Sequence, residues 1–206
     1  MSRTPHHREM RPLRHWVIAG LLAVLLAVFL MSGPPGSAHA DQEDGRLDIL
    51  FGRLAVTADA AEARSLEAAI WRIWLEPRDA KLESVMARGI AAMNGGRLGA
   101  ALAFFDRVTR EAPGFAEGWN KRATVHYLMK DFDASVRDIA RTLELEPRHF
   151  GALSGLGLIN MALERPAAAL RAFEQVLMIH PNAAGARAHV KRLRDILEGD
   201  LRGDET

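Results

Sequence analysis

Residues 116–147 read AEGWNKRATVHYLMKDFDASVRDIARTLELEP. The proline that closes this stretch has two counterparts: Pro113, Pro147 and Pro181 stand 34 residues apart, each after a helix-like run, Arg107–Ala112, Arg141–Glu146 and Gln175–His180. Self-similarity at a fixed period is the signature of a repeat architecture. Registering the chain on these prolines gives three ungapped blocks, 82–113, 116–147 and 150–181.

The columns of the blocks agree in residue type as well as in spacing. The middle block carries Trp119-x-x-Arg122-Ala123-x-x-His126 and the third Leu153-x-x-Leu156-Gly157-x-x-Asn160. Farther on come Ala101/Phe105, Ser135/Ile139 and Ala169/Phe173, and between them the turn triplets Gly96-Arg97-Leu98, Lys130-Asp131-Phe132 and Glu164-Arg165-Pro166. This pattern resembles the tetratricopeptide-repeat (TPR) family, with its Trp-x-x-Leu-Gly-x-x-Tyr first helix, Gly-Asp-Tyr turn and Ala-x-x-x-Phe second helix. The resemblance covers about half the chain. It implies an all-α fold, a right-handed α-solenoid of three helix hairpins within residues 79–181. Small residues at Gly89, Ala123 and Gly157, and at Ala101, Ser135 and Ala169, let paired helices approach closely, and Phe105, Ile139 and Phe173 fill the space between repeats. No unit buries its apolar face alone, so the three must stack.

The flanks read as caps. Residues 182–198, with Asn182 as N-cap and an Ala186, Val190, Leu193, Leu197 stripe, form a C-terminal capping helix that Gly199 ends, before a polar tail, 199–206. Residues 41–78 form an N-terminal helical hairpin, a degenerate repeat or cap. Its first helix carries Leu47, Leu50, Phe51 and Leu54; Asp59 and Glu62 resemble a capping box; Leu66, Ala69, Ile70, Ile73 and Trp74 share a face of the second. Trp71 and Trp74 are expected in the core or stacked on the first repeat, a partner surface being the alternative.

Before the hairpin, Arg3, Arg8, Arg11 and Arg14 precede an uncharged apolar run, Trp16–Met31, and then Gly33-Pro34-Pro35-Gly36 and Ala38-His39-Ala40. Residues 1–40 read as a signal peptide cleaved after Ala40, since a bilayer span takes roughly 20 apolar residues. An uncleaved inner-membrane anchor is the alternative. Either way the remainder lies outside a bacterial cytoplasm, periplasmic or secreted. Without residues 1–40, 23 basic residues stand against 25 acidic ones, which does not support a nucleic-acid footprint. The chain has no cysteine, so an exported domain is held by its apolar core alone, and thiolate metal sites and thiol catalysis are excluded.

Catalytic motifs are lacking: no H-E-x-x-H, G-x-S-x-G, P-loop or G-x-G-x-x-G after a strand occurs. Ser154-Gly155-Leu156-Gly157 falls on a helix, and His126, His149, His180 and His189 are scattered. No enzyme, cofactor or metal is expected. Arg122 stands in a packing column, where an unpaired charge is prohibitive, and Asp138 is its expected partner; an arginine facing a ligand is the other reading. On the first helices a stripe separate from the core columns comprises Glu83, Met86, Ile90 and Met93, then Glu117, Asn120, Thr124 and Tyr127, then Gly151, Ser154, Leu158 and Met161. By the resemblance it lines a concave groove that holds another protein or an extended peptide; methionine suits such adaptable contacts. A clamp for a C-terminal carboxylate is not evident. The expected function is a non-catalytic interaction module of the cell envelope, an adaptor or assembly factor; the alternative is a membrane-tethered structural subunit of an envelope complex.

Overall fold

The computed structural model describes residues 44–76 and 79–203, and the expected leader, 1–40, lies outside them. Among the described residues there are nine helices and no strand. They are α1 (Gly45–Val56), α2 (Ala60–Trp74), α3 (Ala80–Asn94), α4 (Leu98–Glu111), α5 (Ala116–Leu128), α6 (Phe132–Leu145), α7 (Phe150–Ala162), α8 (Pro166–Ile179) and α9 (Ala184–Gly203). None is long and apolar enough to cross a membrane.

The period is visible in the backbone. Gly96, Lys130 and Glu164, 34 residues apart, all take positive φ, at 70°, 62° and 55°. The next amide then turns back on the first helix: Arg97 donates to the Ala92 carbonyl, Asp131 to His126 and Arg165 to Asn160, at 2.8–2.9 Å. This left-handed residue and six-to-one bond satisfy carbonyls that the helix end would otherwise orphan. The proline turns repeat as faithfully, since Ala112, Glu146 and His180 donate at 2.8 Å to Val108, Thr142 and Val176 before each proline forces extended backbone.

Within each hairpin, size is exchanged across the interface. A Cβ on Gly89 would lie 2.6 Å from Phe105, and one on Gly157 equally close to Phe173, whereas the middle repeat sets Ala123 against the smaller Ile139. Glycine is required where the opposing ring is large. Ser135, at the other small column, spends its hydroxyl on the Ala123 carbonyl at 2.8 Å.

Arg122 is an internal brace. Its guanidinium meets both Asp138 oxygens at 2.7 Å, reaches Asp106 at 2.9 Å and Thr109 at 3.0 Å on α4, and lies 4.8 Å over Trp119. Asp138 fixes its position, and Asp106 and Thr109 tie the second repeat to the first. Those hydrogen bonds to Asp138 outweigh burial and raise the guanidinium's affinity for its proton. Arg88, at the same column of the first repeat, is exposed.

Two flanking elements differ from expectation. The last helix does not stop at Gly199 but runs to Gly203, because glycine ends a helix only where the backbone turns left-handed, which among the described glycines happens at Gly96 alone. Asn182 uses its amide to hold the Thr57 carbonyl at 2.7 Å and its carbonyl to accept from Arg187. The N-terminal hairpin is also placed differently. Asp59 caps α2 through the Ala61 amide, but Glu62 accepts from Thr57 and Arg53 instead of closing a capping box. Trp71 and Trp74 pack on the third repeat, not the first: Trp74 lies flat on His149 at 4.1 Å, and Trp71 meets Phe150 edge-on at 5.5 Å. The third repeat offers what they need, a flat ring at residue 149 and bare backbone at Gly151, where a Cβ would lie 2.6 Å from Trp71.

Lys130→Gly and Glu164→Gly should each raise stability by about 0.5–1 kcal/mol in denaturant unfolding, because a side chain in the left-handed region is strained. Arg137→Gly on the exposed side of α6 should lower it by about 1 kcal/mol. Arg122→Met should cost roughly 3–5 kcal/mol by stranding Asp138, which is 4% exposed, and adding Asp138→Leu should recover more than half. Strictly additive losses in that double-mutant cycle would show that the pair is not coupled.

Candidate functional site

The stripe on the first helices divides into three environments. In the first repeat Glu83 is exposed, Met86 is buried in the local core and Ile90 and Met93 lie half-buried against it. In the second, Glu117 and Asn120 are buried, at 0% and 6% exposure, while Thr124 and Tyr127 are half-exposed. In the third, Ser154, Leu158 and Met161 are half-buried. Met161 faces α9 across a cavity that Arg165, Leu193 and Ile196 also line, away from the other groove residues.

Four of the expected residues do converge. Asn120, Thr124 and Tyr127 of α5 face Leu158 of α7 across a cavity of about 240 Å³. Its floor is Ala123, Ser135 and Ile139, and its α7 wall is largely backbone, because Gly151 and Gly155 stand one helical turn apart. The Thr124 hydroxyl is spent on the Asn120 carbonyl at 2.9 Å and the Ser154 hydroxyl on the Phe150 carbonyl at 2.8 Å. An apolar floor within an uncharged rim suits one apolar side chain together with a stretch of peptide backbone.

The hairpin buries the remainder. Glu117 sits at the start of α5 with its carboxylate 3.0 Å from His149 Nε2, 2.8 Å from the Asn120 amide and 2.8 Å from the Lys121 ammonium. His149 Nδ1 accepts the Ala152 amide at 3.1 Å and so caps α7. With Nδ1 an acceptor, the proton of the neutral ring lies on Nε2 and is donated to Glu117. Burial opposes charge on Glu117, but the His149 N–H and the Lys121 ammonium overcome it and hold the carboxyl below its usual range. Trp71 roofs this cluster, with Lys121 5.4 Å above its ring, and Trp74 covers the His149 face. Both members of the Glu117–His149 pair have 0% side-chain exposure, so the pair transfers no proton to a bound molecule and serves as structure.

Sequence reasoning missed Trp71, Lys121 and His149 as the closed end of the groove, and Gly155 as part of its wall. Gly155 was visible as a glycine one turn after Gly151 on the stripe's edge. The role of His149 depends on residues 32 and 75 positions away, which helical spacing does not connect.

The tetratricopeptide-repeat model matches residues 120–186. A TPR repeat-containing protein of Rhizobium etli is 32% identical over 191 residues, 86% of this chain and 94% of that protein. Small glutamine-rich tetratricopeptide repeat-containing protein 2 of Saccharomyces cerevisiae is 29% identical over 51% of this chain and 30% of its own length. Among solved structures, the Sgt2 TPR domain of Aspergillus fumigatus superposes with a TM-score of 0.57 at 18% identity, covering 62% of this chain and 86% of that one. The first TPR of Spaghetti (RPAP3), bound to the HSP90 peptide SRMEEVD, gives 0.55 at 20% identity over 58% and 96%. With a relative this similar along nearly its whole length, and three hairpins repeating the same turn geometry, the chain belongs to the tetratricopeptide-repeat family.

Proposed function

We propose that this protein is a non-catalytic interaction module of the cell envelope that holds a segment of a partner polypeptide in the cavity between α5 and α7. The cavity carries the reading. It is the place where the first helices of two successive repeats leave an apolar floor open beside Thr124 and Tyr127, while the ionisable pair nearest to it is sealed away. The relatives support a peptide ligand in kind: one similar solved TPR domain holds an HSP90 peptide and another a pHsp70 peptide. An envelope setting draws on the leader-like residues 1–40 and on a 62-residue stretch 40% identical to Cellulose synthase 2 operon protein C of Komagataeibacter xylinus, a stretch that is 5% of that protein.

The cavity also dictates which substitutions are informative. Asn120 is buried against Glu117, so an acid there would unfold the chain rather than test the groove. At Gly155 a Cβ meets only the Ile139 Cδ1, at 3.4 Å, so Gly155→Leu fills the cavity without striking backbone. A photo-cross-linking side chain at residue 127 should capture a discrete partner in the envelope, and one at residue 137, on the exposed side of α6, should not. Adding Gly155→Leu should lower capture at least tenfold, the loss of about 1.4 kcal/mol or more, while leaving melting unchanged or raised. Equal capture from both faces, or full capture despite the filled cavity, would remove the groove from the mechanism.

A further inference from the structure

The hairpin α1–α2 precedes the first repeat in the chain but shares its core with the other end of the molecule. Leu47, Phe51, Ile70 and Trp74 join Phe150, Leu153, Val190 and Leu193 in one buried cluster, while the first repeat closes a separate one around Phe105. The polar links are as remote. Asp48 pairs with Arg148 at 2.7 Å, Glu67 lies 3.4 Å from His180, and the Thr57 carbonyl accepts from Asn182, across 100, 113 and 125 residues. Residues 75–79 alone connect this hairpin to the first repeat.

We propose that the hairpin is a detachable strap, and that its seat on α7 and α9 takes the same hairpin from a second copy of the chain, giving a hairpin-swapped dimer. The chemistry of the seat selects this occupant. An empty seat would expose Phe150, Leu153, Val190 and Leu193, and a freed hairpin would expose Leu47, Phe51 and Trp74, surfaces that soluble proteins keep covered. The partner that matches the Arg148, His180 and Asn182 positions together is the hairpin itself. The swapped form makes every contact of the closed form and differs only in the course of residues 75–79, which is why swapping is a low-cost route to dimers. Closure within one chain is favoured by an effective concentration of about millimolar, so exchange grows as the chain is concentrated. In the swapped form Trp71 of the second copy roofs Glu117 and borders the groove at Gly151, and each groove is then completed by two chains.

The chain has no cysteine, so single introduced thiols report unambiguously. Full-length Asp48→Cys and Arg148→Cys chains are mixed in mild detergent, taken through a urea cycle at high and at low concentration, and treated with a short bismaleimide. A covalent heterodimer whose yield rises with concentration is expected, and none from Asp48→Cys mixed with Arg137→Cys. The doubly substituted chain should cross-link within itself at low concentration, which shows that both thiols reach their places. Internal cross-linking of that chain with no heterodimer at any concentration would overturn the proposal. If the substituted chains misfold, sedimentation of the unaltered chain decides: monomer at every concentration, before and after the urea cycle, overturns it, and a dimer that grows with concentration and dissociates slowly on dilution supports it. Photo-capture from residue 127 is independent of this result, so the two readings fail separately.

Discussion

The approach of a phenyl ring to bare helix backbone sets the geometry on which the rest of the molecule depends. Where Phe105 lies over Gly89 and Phe173 over Gly157, the helices of a hairpin are held at a separation that a single added carbon would violate by several tenths of an ångström. Helices this close need a tight connection, supplied by the left-handed residue at positions 96, 130 and 164. The return from each second helix is fixed by the proline turn, so hairpin follows hairpin in a constant relation, and the same contacts recur every 34 residues. The relation is tolerant in chemistry but not in volume: the middle repeat replaces the Gly–Phe pair by Ala123 and Ile139 and keeps its place in the stack.

What was legible in the sequence was what this local geometry writes into it. The prolines, the small and large columns and the turn triplets are separations of a few residues repeated three times, and they gave the helices of the array close to where they lie. The brace was legible too, because Arg122 and Asp138 sit 16 residues apart in one hairpin, and an arginine in a packing column demands an acid. The seat of the N-terminal hairpin was not. An amphipathic stripe such as Leu66, Ile70, Ile73 and Trp74 shows that a face is buried but not against what, and contacts across 100 residues leave no periodic trace. One sign was present: Phe150–Ala162 carries no charged residue, as expected of a helix covered on nearly all sides. The misplaced end of α9 has a different cause, since a glycine permits a left-handed turn without requiring one.

Placement of the hairpin explains why the groove reads differently in sequence and in space. Glu117 and Asn120 have the spacing of groove residues, and without α2 they would face water. Under Trp71 they become the polar part of an interior contact, and an interior carboxylate is tolerated only when its partners offset the loss of water. The cluster meets that condition with an imidazole N–H, an ammonium and an amide, and it places the imidazole so that its other nitrogen caps α7. His149 therefore serves three elements at once: the start of α7, the carboxylate of α5 and the stacking face for Trp74 of α2.

The two polar clusters divide the labour of the second repeat. Arg122 looks toward the second helices and binds the repeat to its predecessor through Asp106 and Thr109. Glu117 looks toward the following repeat and, through His149, to the hairpin folded over it. Both lie on α5, which carries too little continuous apolar surface to be held by hydrophobic burial alone, so specific hydrogen bonds fix its position from two sides. The same helix supplies Asn120, Thr124 and Tyr127 to the open cavity. A surface meant to receive another chain gains from such fixing, because a wall already held in place loses little conformational entropy when a ligand arrives.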